Sequence, residues 1–228
     1  MFFKKKRERT KVTAIVLAAG ESRRMGEKKE FIEILDKPAI AYSLLAFERA
    51  ESVERIVVVT REQDILFVGD VCKTYGINKV VSIITGGAER SDSVRLGLDE
   101  ATEAEYFAIH DGARPCITPE YIDRVVDAAI EKGAATLGHK ATDTLKYARN
   151  GVITESIERE NLWHLETPQC FAAPIIRAAH ENGAKGTDDT GLVDVPVYIV
   201  ESNCNNIKIT LPSDLELAAA ILGGREDV

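Results

Sequence analysis

Ala14-Ile15-Val16-Leu17-Ala18-Ala19-Gly20-Glu21-Ser22-Arg23-Arg24-Met25-Gly26, with Lys28 and Lys29 just behind it, is the stretch on which the reading of this chain turns. Its first four residues are purely apolar, the pattern of a strand buried on both faces of a parallel sheet. Small residues and a glycine follow, so the backbone can approach a ligand closely there. Exposed N–H groups in such a loop favour anions. Arg23, Arg24, Lys28 and Lys29 add positive charge where a polyphosphate would lie. A solvated basic turn between strand and helix would read the same way, so the loop needs support from elsewhere in the chain.

The loop fits neither common phosphate motif. A dinucleotide fold needs Gly-x-Gly-x-x-Gly, and Ser22 occupies the middle glycine position. A P-loop ends in Gly-Lys-Ser/Thr, which this stretch does not. The cations sit inside the loop and just after it, which suits a site that neutralises a triphosphate as it reacts.

Working outward, strands and helices alternate, the sign of a mostly parallel sheet covered on both faces. Strands are expected at 14–17, 55–60, 79–84, 106–110, 134–138 and 197–200. Helices are expected from Pro38 to Ala50, over 63–75, up to Glu100, from Pro119 to Lys132, and over 174–182 and 188–194. Asn206-Ile207-Lys208-Ile209 reads as a last extended piece. Ser213-Asp214-Leu215-Glu216 reads as a capping box opening the final helix. Between about His139 and Asn161 the rhythm breaks. Thr144–Tyr147 and Val152–Glu155 flank Arg149-Asn150-Gly151, a good hairpin turn. A lone hairpin is marginal in water, so this one is expected to pack on something, plausibly a second subunit.

With 228 residues the chain is long enough for one domain with a large core. We expect a flexible basic tail over 1–11 and one domain over 12–228 with an arm at about 139–161. The net charge of −8 does not suggest a nucleic-acid partner. No apolar run approaches the roughly 20 residues that span a bilayer, so no membrane partner is expected. Cys72, Cys116, Cys170 and Cys204 are scattered without a C-x-x-C pair, which fits a reducing cytoplasm better than a disulfide framework or a zinc site.

Ligands in an open α/β sheet sit outside the carboxyl ends of the strands. Three polar clusters converge there: the basic loop after the first strand, Gly86-Gly87 with Ser93 after the third, and Asp111 with Arg114 after the fourth. Taken singly, each is also what a tight turn or a helix cap requires. No nucleophile triad or metal-ligand spacing is apparent, and His110, His139, His164 and His180 read as structural. An enzyme built on this chain should work by positioning and electrostatics. Nucleotidyl transfer to a phosphate needs little more, since a phosphate is largely a dianion at neutral pH and needs no general base.

At this point the residues are similar to a known family. Leu17-Ala18-Ala19-Gly20 with Arg23-Arg24-Met25-Gly26; Gly86-Gly87 with Glu89-Arg90 and Asp92-Ser93-Val94; His110 to Pro115; Asp143-Thr144; Leu162-Trp163 with Thr167-Pro168-Gln169; Thr187-Asp188-Asp189; and Asn206 to Thr210 occur in one order. From about Val12 to Leu222 the chain resembles the 2-C-methyl-D-erythritol 4-phosphate cytidylyltransferases. That resemblance implies a Rossmann-like nucleotidyltransferase fold, transfer of CMP from CTP to the sugar-alcohol phosphate, Mg²⁺ as cofactor, and a homodimer. Carried over by position, Arg24 and Lys29 stabilise the reacting phosphates, and Arg159 joins them across the subunit boundary. Ala18, Ala19, Gly20, Gly87, Ala88, Ser93, Asp111 and Gly112 hold the nucleotide. Arg114, Thr144, Thr167 and Lys208 hold the sugar phosphate, and Asp111 lies near the metal ion. Lys28-Lys29-Glu30, Ala88 and Glu166 depart from the family's usual residues. They leave open which lysine acts, how the base is selected, and why a carboxylate stands beside a phosphate pocket. A ribitol-5-phosphate cytidylyltransferase and a non-catalytic nucleotide-binding module remain as alternatives.

Overall fold

The computed structural model describes residues 10–20, 28–181 and 186–225. The chain opens with β1 (Val12–Leu17), a tiny hairpin of β2 (Glu33–Ile34) and β3 (Lys37–Pro38), α1 (Ala39–Arg49) and β4 (Arg55–Thr60). It continues through α2 (Ile65–Tyr75), β5 (Val80–Thr85), α3 (Arg90–Glu100), β6 (Tyr106–Asp111), α4 (Pro119–Lys132) and β7 (Ala134–Lys140). The remainder is β8 (Lys146–Arg149), β9 (Val152–Ser156), β10 (Trp163–Ala172), α5 (Ala173–Glu181), β11 (Tyr198–Glu201) and α6 (Ser213–Gly223). A seven-stranded sheet runs β11-β7-β10-β6-β1-β4-β5. β1 pairs parallel with β4 and β6, β4 with β5, and β7 with β11.

β1 is fully buried, as its unbroken apolar run requires at the centre of a sheet covered on both faces. Its side chains alternate between two cores. Ala14 and Val16 pack with Ile40, Leu44 and Phe47 of α1 and Ile122 and Val125 of α4. Ile15 and Leu17 pack with Val94 and Leu98 of α3 and Ile176 of α5. Gly97 on α3 allows this second face to close, since a Cβ there would fall 2.7 Å from Ile15.

β10 was not foreseen from the sequence. It lies between β6 and β7 and runs antiparallel to both. The apolar pattern fails to announce it because Glu166, Thr167, Pro168 and Gln169 interrupt the run. Pro168 follows a cis peptide bond where the register against β7 shifts between Leu165 and Gln169, the place in a sheet that tolerates proline.

Two local expectations are corrected. Residues 188–194 form turns, not a helix. The Asp188 carboxylate accepts from Thr190 Oγ1 at 2.6 Å and from the Gly191 N–H at 3.3 Å, a local arrangement that competes with helix. The Ser213/Glu216 capping box does not form: α6 has no side-chain cap bond at its start. Asp214 instead accepts the N–H groups of Thr210 (2.7 Å) and Leu211 (2.8 Å), tying down the segment that enters the helix. The β8–β9 hairpin forms as expected, with both strands exposed along their whole length.

Candidate active site

The carboxyl ends of β1, β5 and β6 open into a cleft of about 660 Å³. Its floor is built by close packing that only small residues permit. A Cβ on Gly86 would fall 2.7 Å from both Ala19 Cβ and Ser93 Oγ, and one on Gly87 would fall 2.3 Å from Asp92 Cβ. Ser93 Oγ accepts the Gly87 N–H at 3.1 Å and donates to the Glu89 carbonyl at 3.2 Å, so it shapes the turn before α3. Glu89 and Asp92 form a reciprocal capping box on that helix. Ala19, Gly20, Gly87, Ala88 and Ser93 line the cleft. Ala18 and Gly112 do not; they secure the loops beneath it, Ala18 N–H to the Val59 carbonyl (2.7 Å) and Gly112 N–H to the Leu17 carbonyl (2.8 Å). Arg24 lies outside the described residues.

The two adjacent lysines separate cleanly. Lys28 is ion-paired to the buried Asp64, which Arg61 also contacts at 3.0 Å. Lys29 lines the cleft, its Nζ 4.0 Å from Glu30 Oε1.

Asp111 stands at the mouth of β6 as the hub of the site. Burial alone would raise its pKa. Lys208 Nζ at 2.7 Å, Arg90 Nε at 3.6 Å and Arg114 Nε at 3.9 Å overcome that and hold the carboxyl far below the usual carboxylate range. Arg90 is a site residue that sequence reasoning passed over. Its guanidinium bridges Asp111 to the fully buried Asp189 (2.7 Å), which also meets His180 at 3.1 Å. The Asp189 N–H is held by Gln169 Oε1 at 2.9 Å. The signal was present in Thr187-Asp188-Asp189, two adjacent carboxylates in a turn-forming stretch, but nothing local says that α5 and α3 converge on them.

A second space of about 440 Å³ adjoins the first. Arg90, Asp111 and Lys208 line both, so they form the wall between them. Arg114, Leu165, Glu166, Thr167, Gln169, Thr187 and Asp188 complete the second space. Ser43 on α1 steadies the Asp111–Arg114 turn, lying 3.3 Å from the Gly112 carbonyl and 3.2 Å from that of Arg114. Thr167 Oγ1 accepts the Asp111 N–H at 3.1 Å and lies 3.0 Å from His110 Nδ1. His110 Nε2 faces the Arg114 carbonyl at 3.4 Å, an acceptor, so Nε2 carries the ring proton and Nδ1 takes the Thr167 hydroxyl proton. Burial, with Arg114 adding to it against Asp111, pulls the His110 pKa down to about 3. His110 is therefore a neutral structural member, as expected.

Glu166 does not oppose a phosphate with a bare charge. It is 2% exposed, and its carboxylate receives His139 Nδ1 (2.6 Å), Ser202 Oγ (2.7 Å) and Asn206 Nδ2 (2.8 Å). Thr144 and Arg159 are exposed on and just after the hairpin and line neither space. Arg159 Nη1 donates to the Thr142 carbonyl at 2.6 Å. A single chain thus gathers Lys29, Asp111, Arg114, Thr167 and Lys208 but leaves Thr144 and Arg159 on the arm.

Among the described residues no helix is long and apolar enough to cross a membrane. All four cysteines are free thiols.

A family model for 2-C-methyl-D-erythritol 4-phosphate cytidylyltransferase matches residues 12–224. The chain belongs to that family. It is 39% identical to the family's enzyme from Lachnoclostridium phytofermentans, over 95% of this chain and 98% of that one. It is 41% identical to the enzyme from Shouchella clausii, over 94% and 97%. The crystal structure of 4-diphosphocytidyl-2C-methyl-D-erythritol synthase from Anaerococcus prevotii superposes with a TM-score of 0.83 at 26% identity, covering 94% of this chain and 96% of that one. The chain is thus a cytidylyltransferase that forms the cytidine diphosphate derivative of methylerythritol for isoprenoid synthesis. Membership in this family decides against the ribitol-5-phosphate and non-catalytic alternatives.

Proposed function

We propose that the larger space holds CTP and the adjoining one holds 2-C-methyl-D-erythritol 4-phosphate, the two reacting across the Arg90–Asp111–Lys208 wall. The observation that carries this reading is that shared wall: Arg90 and Lys208 face both spaces, held together through Asp111, so anions brought in from either side meet the same two cations. A phosphate oxygen of the sugar-alcohol phosphate attacks the α-phosphorus of CTP. The new P–O bond forms as the bond to the β-phosphate oxygen breaks, and pyrophosphate leaves with its electron pair. No proton must be removed, because the attacking phosphate is already ionised at neutral pH. Lys29 lies on the CTP side and neutralises charge that grows on the α-phosphate and the leaving group; Arg24 shares this role by its place in the sequence. Arg114, Thr167 and Lys208 hold the acceptor. The backbone of Ala19, Gly20, Gly87 and Ala88 gives the base a tight, fixed floor, and with Ala88 in place the selection rests on main-chain groups.

A divalent cation fits this site only with the nucleotide. Among the described residues no cluster of three metal-ligating side chains exists. Asp111 is one carboxylate, which suits Mg²⁺ held mainly by phosphate oxygens and water. Bound there, Mg²⁺ would neutralise triphosphate charge.

The working unit we propose is a homodimer in the cytoplasm, with residues 12–228 as one domain. Tyr147, Val152 and Ile153 of the hairpin are all at least 59% exposed, apolar side chains spread over both faces of the arm that a second copy would cover. The same contact would carry Thr144 and Arg159 toward the partner's acceptor space. The basic tail lies almost wholly outside the described residues. Pyrophosphate release from CTP and Mg²⁺, with methylerythritol 4-phosphate and ribitol 5-phosphate offered separately, tests the substrate reading. Turnover with the first alone is expected; turnover with ribitol 5-phosphate would overturn the acceptor space.

A further inference from the structure

We infer that Glu166 is a positioning residue for the acceptor phosphate, acting on Arg114 through Asn206. The inference rests on the reading of the second space as the sugar-phosphate site.

Three stretches that are distant in sequence meet at this one buried carboxylate, the third contributing two residues. His139 comes from β7, Glu166 itself from β10, Ser202 from the end of β11, and Asn206 from the segment leading to Lys208. Isolating a carboxylate from water is costly unless its lone pairs are filled. Here three donors fill them. The two oxygens divide the work. Oε1 takes His139 and Ser202, while Oε2 takes Asn206 alone.

The Asn206 side further reaches the substrate space. Its Nδ2 donates both to Glu166 Oε2 and to the Thr167 carbonyl, each at 2.8 Å. Two acceptors on the same side fix which way the amide points. Asn206 Oδ1 is left buried without a hydrogen-bond partner among the described residues. The amide therefore holds its orientation only as long as Oε2 and the Thr167 carbonyl demand it. With the side chain fixed, the Asn206 carbonyl accepts Arg114 Nη1 at 2.7 Å. Arg114 Nε makes no hydrogen bond among the described residues, although it is buried. The guanidinium is thus aimed by one hydrogen bond to a main-chain oxygen and by the 3.9 Å ion pair of its buried Nε with Asp111, and its outer edge remains for a phosphate. Two residues further on, Lys208 meets Asp111 at 2.7 Å, and the Ile209 N–H joins the Ala113 carbonyl at 2.8 Å. A shift of Asn206 would be felt by Arg114 first.

Glu166→Gln separates the two oxygens. The amide keeps the volume and can still accept from Ser202 and His139. With its oxygen kept on Ser202 and His139, its –NH₂ faces Asn206 Nδ2, donor against donor, and the Asn206 link breaks. The flipped amide would keep that link and donate to Ser202 Oγ, so Asn206→Ala, which deletes the relaying amide, is measured beside it. Ser202→Ala is the comparator, because it removes a bond from the same carboxylate on the side that does not lead to Arg114. Arg114→Ala is the reference for the space itself. Each variant is measured for melting temperature and for kcat and KM with both substrates. For Glu166→Gln the expected result is a KM for methylerythritol 4-phosphate raised about tenfold, in keeping with the cost of small misplacements. Its KM for CTP stays within about twofold. Ser202→Ala shows a comparable loss of melting temperature with neither KM changed. Should Glu166→Gln fail to yield folded protein, Asn206→Ala, which deletes the relaying amide, must give the same selective rise. An acceptor KM unchanged in both Glu166→Gln and Asn206→Ala while Arg114→Ala raises it would overturn the inference alone. Equal effects of Glu166→Gln and Ser202→Ala on both substrates would also overturn it, since that is what a purely structural carboxylate would do. If Arg114→Ala leaves the acceptor KM untouched, the reading of the space fails and the inference falls with it.

Discussion

The two sides of the active site are built by opposite means. The side we propose for CTP is made of absence: Gly86, Gly87 and the alanines leave room for main chain, and a Cβ at either glycine would collide with its neighbours. The side we propose for the acceptor is made of buried charge. Asp111, Arg114, Glu166 and Asp189 are held by one another and by Lys208, Arg90, Asn206 and His180. A floor of small residues is specified by a few consecutive positions. A charge network is specified only when distant segments assemble. The first kind of site resists ligand-free collapse through packing, while the second depends on every member finding its partner.

The contrast is tested most severely at Lys29, the cation placed on the CTP side. Lys29→Ala should cut pyrophosphate release by about 10³, the scale of losing one preorganised charge at a transition state. Its melting temperature should hardly move. Lys28→Ala should keep most of its turnover, because Lys28 is spent on Asp64. An unaffected Lys29→Ala together with a crippled Lys28→Ala would exchange the two roles.

The next largest effect concerns the arm. Ile153→Glu places a charge among the exposed apolar side chains of the hairpin. Sedimentation should then report a monomer, and turnover should fall about 10-fold or more as the positioning supplied by Thr144 and Arg159 is lost. A monomer with full activity would remove both residues from the site. It would also leave the acceptor side complete within one chain.

Gly87→Ala probes the packed floor. The new Cβ would meet Asp92 Cβ at 2.3 Å, so the turn or the start of α3 must shift. About 2 kcal/mol of destabilisation in a denaturant titration is expected, in the range for overpacking. The KM for CTP should rise and that for the acceptor should not. A rise in both would mean that the floor and the charge network move as one body.

The same contrast explains what the sequence disclosed. The β1 run, the Gly86-Gly87 turn and the placement of Asp111 after an apolar strand were legible because each is a local pattern with a physical cause. The Lys28/Lys29 choice was not, since it depends on Asp64 across the loop. β10 was hidden because its central residues are selected for the site and for Glu166's partners, and so break the apolar pattern of a central strand. Arg90 and Asp189 stand in recognisable motifs whose local sequence carries no sign of their role, because their partners lie on β6 and α5. Residues 188–194 misled in the reverse direction: local Asp188 bonds defeated a helical reading.

The finest test of the charge network is its response to acid, and His110 supplies it. Its ring is buried and neutral, with a pKa lowered from 6.5 to about 3. Below pH 6.5 the unfolded chain therefore binds a proton that the folded chain refuses. Stability must fall as the pH drops from there toward 3, by up to about 1.4 kcal/mol per pH unit from this one group. Asp111 acts in the same direction but in a lower window. Its folded pKa is depressed, so its contribution is present above the ordinary value of 3.8 and is lost only as the pH falls through the folded value. Between about pH 6 and 4.5 the two separate, and His110 alone of the pair contributes a slope. Unfolding free energies of the wild type and His110→Gln measured across that interval should differ in slope by close to one proton, the wild type being the steeper. Groups that titrate alike in both proteins cancel in this difference. Equal slopes would mean that His110 is protonated in the folded state. Its Nδ1 would then no longer take the Thr167 hydroxyl proton, and Thr167 would become free to donate to a phosphate. The outcome thus decides what kind of group Thr167 offers to the acceptor.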